Sequence, residues 1–201
     1  MAEREHQTLS FWRGHLPHWE IVDGIYFITI HIKGAIPQEG LDRIRNLSSS
    51  LESSINKDHF KIQRQIFKDM EHYLDNAERN AILHKPEIAD ILTNGIEYLE
   101  KENKWEMINY VIMPNHVHLF CKFNSPMKKL LINFKKWTAR KIQKEIGQSG
   151  DFWQTEWFDH WSRSASEDEK IKLYIKQNPY KAKLLKTDEV WPYYWERESK
   201  K

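Results

Sequence analysis

The hydrophobic pattern in the first half of the chain predicts one strand followed by helices. Residues 25–32 combine β-branched and aromatic side chains without polar alternation, which predicts a strand buried on both faces. Between 39 and about 76, apolar side chains recur at steps of three and four, which predicts helices, and the same spacing predicts another helix after Pro86. The apolar stripe of the 39–76 helices comprises Leu41, Ile44, Leu47, Leu51, Ile55, Ile62, Ile66, Met70, Tyr73 and Leu74.

In the middle of the chain the pattern predicts two strands and a long helix. The strands cover 105–113 and 116–123, and Pro114 between them predicts a bulge or bend because proline cannot donate to a central ladder. The helix begins after Ser125, with the serine as N-cap and the following proline at the first helical position. Gly147 is predicted to end it.

The two ends of the chain predict shorter elements. The first 24 residues carry aromatic side chains among polar ones with few regular periods, which predicts a packed extension, and 152–160 predicts a short strand or hairpin arm. Ser166–Glu169 matches a capping box, so a helix is expected to start there. It is expected to end near Asn178-Pro179, since the residue before a proline avoids the helical region. The aromatic segment 191–195 is predicted to dock on the rest of the chain.

Composition narrows the class of protein. The 201 residues are 13% aromatic and include nine tryptophans, which indicates a globular chain rather than a disordered one. The single cysteine, Cys121, excludes an intrachain disulfide and a cysteine-cluster zinc site. Charged residues make up 30% and no apolar run approaches the roughly 18 residues of a membrane span, so no membrane partner is expected. Residues 1–7 lack the signal-peptide pattern, and a cytoplasmic protein is expected.

Charge is distributed unevenly along the chain. The net charge is +2, but the 126–146 segment holds seven basic residues and one acidic residue. Such a segment indicates a surface for a polyanion. It is equally the pattern of a solvated, lysine-rich helix face, and both interpretations stay open on charge alone.

Two histidines share one face of a predicted strand. His116 and His118 alternate with Val117, so both imidazoles project to the same side. Two neighbouring imidazoles can bind one divalent metal ion. Two ordinary histidines on a half-buried strand would give the same pattern, and the chain contains ten histidines.

A tyrosine and an asparagine share one face of a predicted helix. Tyr174 and Asn178 are four residues apart, so the phenol hydroxyl and the carboxamide can reach one point in space. The alternative is a core tyrosine beside an asparagine that ends the helix. Taken with the histidines, the set suits a metal ion that polarises a phosphodiester while a tyrosine oxygen attacks it.

The residues from Tyr110 to Phe120, YVIMPNHVHLF, resemble the signature strand of the HUH single-tyrosine transposases. The resemblance is closest to the REP-associated tyrosine transposase branch. Further matches follow in the family's order: Trp153-Gln154, then Phe158-Asp159-His160, then the segment from Tyr174 to Pro179 with Ala182, then Trp191-Pro192. Two departures concern Lys183, which stands where the family usually has glycine, and the 37–85 segment, which is longer than a minimal member requires.

The resemblance implies an α+β fold with a ferredoxin-like antiparallel sheet that carries the His-x-His strand and is flanked by helices. It implies one catalytic domain over 1–201, with 37–85 as a helical elaboration within it. It also implies metal-dependent nicking and strand transfer of single-stranded DNA at hairpins, through a covalent 5′-phosphotyrosine. A non-catalytic, domesticated hairpin-binding relative, a phosphoesterase in which water attacks, and a helical protein-interaction domain are the alternatives.

The resemblance also assigns roles to individual residues. Tyr174 would be the nucleophile, and His116, His118 and Asn178 would bind Mg²⁺ or Mn²⁺. The partner would be single-stranded or hairpin DNA, and a homodimer is a possible assembly. Asp159 and His160 could orient the site or the DNA. They could equally be ordinary residues on a strand face, and both interpretations stay open. The candidate phosphate contacts on the basic helix are Lys128, Lys129, Lys136 and Arg140.

Overall fold

A computed structural model describes residues 4, 7–49, 57–76, 81–186 and 188–198, with side chains of the 57–75 helix described from residue 60 onward. Two members of the predicted apolar stripe, Leu51 and Ile55, lie outside the described residues. The strands are β1 (Thr8–Arg13), β2 (Pro17–Ile21), β3 (Ile25–His31), β4 (Trp105–Ile112), β5 (His116–Phe123), β6 (Phe158–Trp161) and β7 (Tyr194–Glu196). The helices are α1 (Gln38–Ser49), α2 (Lys57–Asp75), α3 (Pro86–Lys101), α4 (Met127–Ile146) and α5 (Ala165–Lys181).

Five strands form one sheet in the order β6-β3-β5-β4-β7, and every neighbouring pair is antiparallel. The first four strands in this order, with the helices between them in the chain, follow the β-α-β-β-α-β arrangement of ferredoxin-like domains. The expected fold class is therefore confirmed. The predicted bend at Pro114 is the turn that joins β4 to β5.

Helices cover both faces of this sheet. Because side chains alternate along a strand, Val117 and Leu119 of β5 enter a core shared with α3 and α4. Phe120 enters a second core, to which α2 contributes Ile66 and α5 contributes Ile175. The His-x-His strand is thus buried on both of its faces, and α2 and α5 cover the face that carries the histidines.

The amino-terminal segment differs from the prediction. Instead of an irregular extension, β1 and β2 form an antiparallel hairpin in which Arg13 pairs with Pro17. The hairpin lacks a clear sequence signal because much of β1 is exposed, so its side chains show no regular apolar period. The carboxyl-terminal segment docks as expected: β7 pairs with β4, and Trp191 donates its indole hydrogen to the Ile112 carbonyl at 2.8 Å.

Three predicted helix boundaries are corrected. Pro126, not Ser125, occupies the N-cap position of α4, and no side chain caps this end. At α5 the cap is Ser164 rather than Ser166; its hydroxyl accepts the Glu167 amide hydrogen at 3.2 Å. The helix continues through Pro179 to Lys181, because a proline in the last turn removes only one backbone hydrogen bond.

The end of α4 was predicted correctly, since Gly147 adopts a left-handed φ of 65° there. Among the described helices, none combines the length and apolar character that crossing a membrane requires.

Candidate metal and nucleophile site

The paired histidines of β5 are held so that one nitrogen of each faces the other. His116 and His118 are 1% and 0% exposed. The Nδ1 atom of His116 contacts Asn115 Oδ1 at 2.6 Å, and Nδ1 of His118 contacts Thr29 Oγ1 on the neighbouring strand at 2.9 Å. The two Nε2 atoms lie 3.1 Å apart. Fixing Nδ1 orients each ring and leaves Nε2 as the ligand atom.

The predicted tyrosine and asparagine lie over these histidines on α5. The Asn178 carboxamide donates to the Tyr174 hydroxyl at 3.1 Å, as expected for residues one turn apart. The Tyr174 ring packs against the His118 ring, with centroids 5.7 Å apart, and edge-on against Phe27. The structure therefore brings together all four residues of the predicted site, within one chain.

A fifth residue, Glu71 of α2, completes the cluster and was not predicted from the sequence. Its carboxylate accepts a hydrogen bond from the Tyr174 hydroxyl, lies 3.3 Å from His118 Nε2 and contacts the Asn178 amide at 3.4 Å. One ligand atom from each of Glu71, His116 and His118 lies within 4.8 Å of the others. Glu71 neighbours Met70 in the apolar stripe, but an acid beside such a stripe is too common to identify a site.

Burial and the neighbouring side chains together set the protonation of these groups. Burial, and then the neighbouring His118, lower the pKa of His116 to about 3, so its imidazole is neutral at neutral pH. Burial alone would raise the pKa of Glu71, but the adjacent imidazoles and the Tyr174 hydrogen bond outweigh it and lower that pKa to about 2. Burial and the Glu71 charge raise the pKa of Tyr174, which keeps the phenol protonated.

The donor set fits a divalent metal ion. Glu71 Oε1 and Asn178 Oδ1 are buried and accept no hydrogen bond within the described part of the chain. Buried acceptors without a partner are rare in proteins and need an explanation. With the two imidazole nitrogens they form a mixed nitrogen and oxygen set, which suits an ion such as Mn²⁺. The Glu71, His116 and His118 group could therefore hold a metal ion.

The predicted phosphate contacts divide between two locations. Lys128, Lys136 and Arg140 line an open groove between α4, the β1–β2 hairpin and residues 150–157. In this groove the Lys128 ammonium lies 5.4 Å from the Trp12 ring centroid. Lys129 is exposed on the same helix but does not line the groove.

The groove lies on the side of the sheet that carries α4, whereas Tyr174 lies on the opposite side. The two regions meet at β6, because Trp157 lines the groove and the next residue, Phe158, packs toward the tyrosine.

The two residues with open roles lie on opposite faces of β6. Asp159 is buried and hydrogen-bonded to His18 of β2, so it links the hairpin to the sheet and does not contact Tyr174. His160 lies on the face of the sheet that carries Tyr174, where its Nε2 atom contacts Glu167 at 3.0 Å.

Comparison with known proteins agrees with this geometry. The family model described as "Transposase IS200 like" matches residues 74–178, a segment that includes both histidines, Tyr174 and Asn178. No curated protein matches the chain. Among solved structures, one titled "Structure of the REP associates tyrosine transposase bound to a REP hairpin" shares the fold. Its TM-score is 0.55 at 15% identity, over 92% of this chain and 82% of that one. Since the family model spans more than half of the sequence, the chain belongs to the IS200-like transposase family.

Proposed function

We propose that the protein nicks single-stranded DNA beside a hairpin and can rejoin strands, using Tyr174 as the nucleophile and a divalent metal ion bound by His116, His118 and Asn178. The observation that carries the proposal is the contact of the Tyr174 hydroxyl with Glu71 and Asn178, directly over the two imidazoles. Glu71 supplies a further carboxylate to the metal site. The hairpin-bound relative supports the choice of substrate.

The chemistry is a transesterification at phosphorus. The Tyr174 oxygen forms a bond to phosphorus, the bond from phosphorus to the 3′-oxygen breaks, and the products are a 5′-phosphotyrosine and a 3′-hydroxyl. The phenol proton passes to Glu71, which already accepts it in a hydrogen bond, and the departing 3′-oxygen takes a proton from solvent to become the hydroxyl. A metal ion at the site would polarise the phosphate and stabilise the negative charge on the departing oxygen. Reversal of the step rejoins strands without an added energy source.

The DNA path follows from the position of the basic groove. A hairpin stem held by Lys128, Lys136 and Arg140 would leave its unpaired flank to cross β6 toward Tyr174. Lysine and arginine supply the counterions that phosphates need. All residues of the proposed site come from one chain, so the chemistry does not require the tyrosine of a second copy.

The test is covalent trapping on labelled single-stranded hairpins with randomised flanks in Mn²⁺, resolved on a denaturing gel. The wild-type protein is expected to form an adduct, and Tyr174→Phe is expected to bind the same pool within about twofold while forming none. Tyr180→Phe is the matched control, because this tyrosine lies on the same helix but donates its hydroxyl hydrogen to the Glu189 carbonyl. It should form the adduct normally.

Three other results would contradict the proposal in distinct ways. An adduct with Tyr174→Phe would show that another residue is the nucleophile. Cleaved ends without a protein-linked species would indicate attack by water. Hairpin binding without cleavage in any divalent metal would indicate the domesticated binding protein.

A further inference from the structure

A cavity of about 450 Å³ opens beside Tyr174. It lies between α2, β6 and α5, and its inner wall is aromatic and aliphatic: Phe27, Phe67, Phe158, Ile171 and the Tyr174 ring. The Phe67 centroid lies 5.3 Å from those of Phe158 and Tyr174. A volume of this size lies within the range of about 300–1,000 Å³ that is typical of small-molecule sites.

The mouth of the cavity is positively charged. Arg64 and Lys68, one turn apart on exposed positions of α2, line one side, and Lys170 of α5 lines the other. Within the described part of the chain, no ion pair neutralises any of these three. Arg163 also lines the cavity, with its guanidinium 4.2 Å from the centroid of Phe60, another lining residue. It is paired with the lining carboxylate of Glu167 at 3.2 Å, so this pair adds no net charge.

An aromatic wall below a cationic mouth is the arrangement by which proteins bind unpaired nucleotides, because bases stack on rings while phosphates pair with cations. A purely apolar ligand would leave the cations of the mouth without anionic partners. Gln63 and His160 also line the cavity and carry polar side-chain groups. The ligand that can both stack on the aromatic wall and pair with the cations at the mouth is therefore a nucleotide of single-stranded DNA.

We propose that this cavity receives one unpaired base of the DNA strand next to the phosphate that Tyr174 attacks, while Arg64, Lys68 and Lys170 hold the adjoining phosphates. The inference rests on the proposed function, since it places the base relative to the nucleophile. It assigns α2 a role in selecting the nucleotide at the cleavage position. A base seated here would fix the register of the strand, so that one phosphate lies opposite the tyrosine hydroxyl.

The experiment measures binding of fluorescently labelled single-stranded dT20 in EDTA, so that neither the metal site nor adduct formation contributes. Loss of one stacked base corresponds to about 5–150-fold weaker binding, and Phe60→Ala is expected to lie in that range. Phe60→Trp, which keeps a stacking face, should bind like the wild type. Tyr98→Ala is the matched control, because this side chain is 61% exposed on α3, outside the cavity.

A charge variant tests the mouth independently of the aromatic wall. Arg64→Ala/Lys68→Ala should reduce the slope of log affinity against log salt by about 1.4, which corresponds to two phosphate contacts on single-stranded DNA. Photocrosslinking of the same oligonucleotide carrying 5-iododeoxyuridine should label Phe60, Phe158 or His160.

Unchanged binding by both Phe60→Ala and the charge variant, with crosslinks confined to the basic groove, would overturn the cavity assignment. That result would leave adduct formation by the wild type intact. Normal binding to the cavity without any adduct in Mn²⁺ would instead contradict the proposed function.

Discussion

Replacing Glu71 by glutamine removes a buried negative charge while keeping the size of the side chain. The Glu71 residue is 7% exposed, and its carboxylate accepts the Tyr174 hydroxyl hydrogen and lies 3.3 Å from His118 Nε2. The fold lowers the pKa of Glu71 from an ordinary 4.5 to about 2, because the stabilising contacts outweigh the cost of burial. The ionised carboxylate therefore contributes to the stability of the metal-free protein.

The sign and size of this contribution follow from the lowered pKa. For a carboxyl group whose pKa is lower in the folded state, the contribution is complete above the unfolded pKa of 4.5 and is lost as the pH falls toward 2. A difference of roughly 2.5 pKa units corresponds to about 3 kcal/mol, at about 1.4 kcal/mol for each unit. Glu71→Gln is therefore expected to lower the free energy of unfolding by about 3 kcal/mol at pH 7.

The assay is urea denaturation in EDTA at a series of pH values from 7 to 3. The difference between wild type and Glu71→Gln should be constant down to about pH 5 and narrow below it. Glu97→Gln, at an exposed position of α3, should change the unfolding free energy by less than about 0.5 kcal/mol. A Glu71→Gln protein at least as stable as the wild type at pH 7, or a deficit independent of pH, would refute this reasoning.

The same variant probes the metal site. Mn²⁺ should raise the melting temperature of the wild type, because an ion that binds only the folded state stabilises it by mass action. Loss of the Glu71 carboxylate should weaken Mn²⁺ affinity at least about tenfold, measured by calorimetry without DNA. Equal affinities would show that Glu71 contacts the tyrosine but does not ligate the ion.

Three further substitutions have defined outcomes. Ser164→Ala should cost about 1 kcal/mol of unfolding free energy by urea denaturation, since it removes the α5 cap. Lys183→Gly should stabilise the protein by about 1 kcal/mol in the same assay, because Lys183 has a φ of 56°, a conformation that strains every residue with a Cβ. Arg140→Ala should weaken hairpin binding, measured by fluorescence anisotropy. It should also reduce the slope of log affinity against log salt by the amount that corresponds to about one phosphate contact.

Each of these has a control within the same element or layer. Ser166→Ala removes a serine that makes no capping bond in the described structure, so a loss equal to that of Ser164→Ala would contradict the corrected helix start. Lys176→Gly, inside α5, should destabilise by about 1 kcal/mol, opposite in sign to Lys183→Gly. Lys101→Ala on α3 should leave hairpin binding unchanged; a loss there equal to that of Arg140→Ala would indicate general charge attraction rather than the groove.

The parts of the site that the sequence predicts depend on local geometry. His116 and His118 share a face because a strand has a period of two, and Tyr174 and Asn178 share one because a helix repeats every 3.6 residues. Neither relation needs tertiary information. That the two pairs would meet came from the resemblance to a known family, since nothing in the spacing brings α5 over β5.

The features that the sequence did not predict depend on contacts between distant segments. The carboxylate of Glu71 is 45 positions from His116 in the chain, and only the packing of α2 on the histidine face brings them together. Asn115 contributes to that packing, because its side-chain amide donates to the Leu74 carbonyl at 2.9 Å. The start of α5 was misplaced for a smaller reason: Ser164 and Ser166 are both plausible caps in the sequence, and the structure uses Ser164.

The proposed nucleotide cavity would give the 37–85 segment a function. The family model starts at residue 74, so it includes the histidines and the tyrosine but neither Glu71 nor the part of α2 that lines the cavity. A nucleophile and its metal ligands act on any phosphodiester, so they do not by themselves select a cleavage position. Selection needs contacts to the bases beside that bond, and under the proposal the α2 side chains that line the cavity would make them. Transplanting α2 into a relative should therefore move the preferred cleavage position more than it changes the rate of the chemical step.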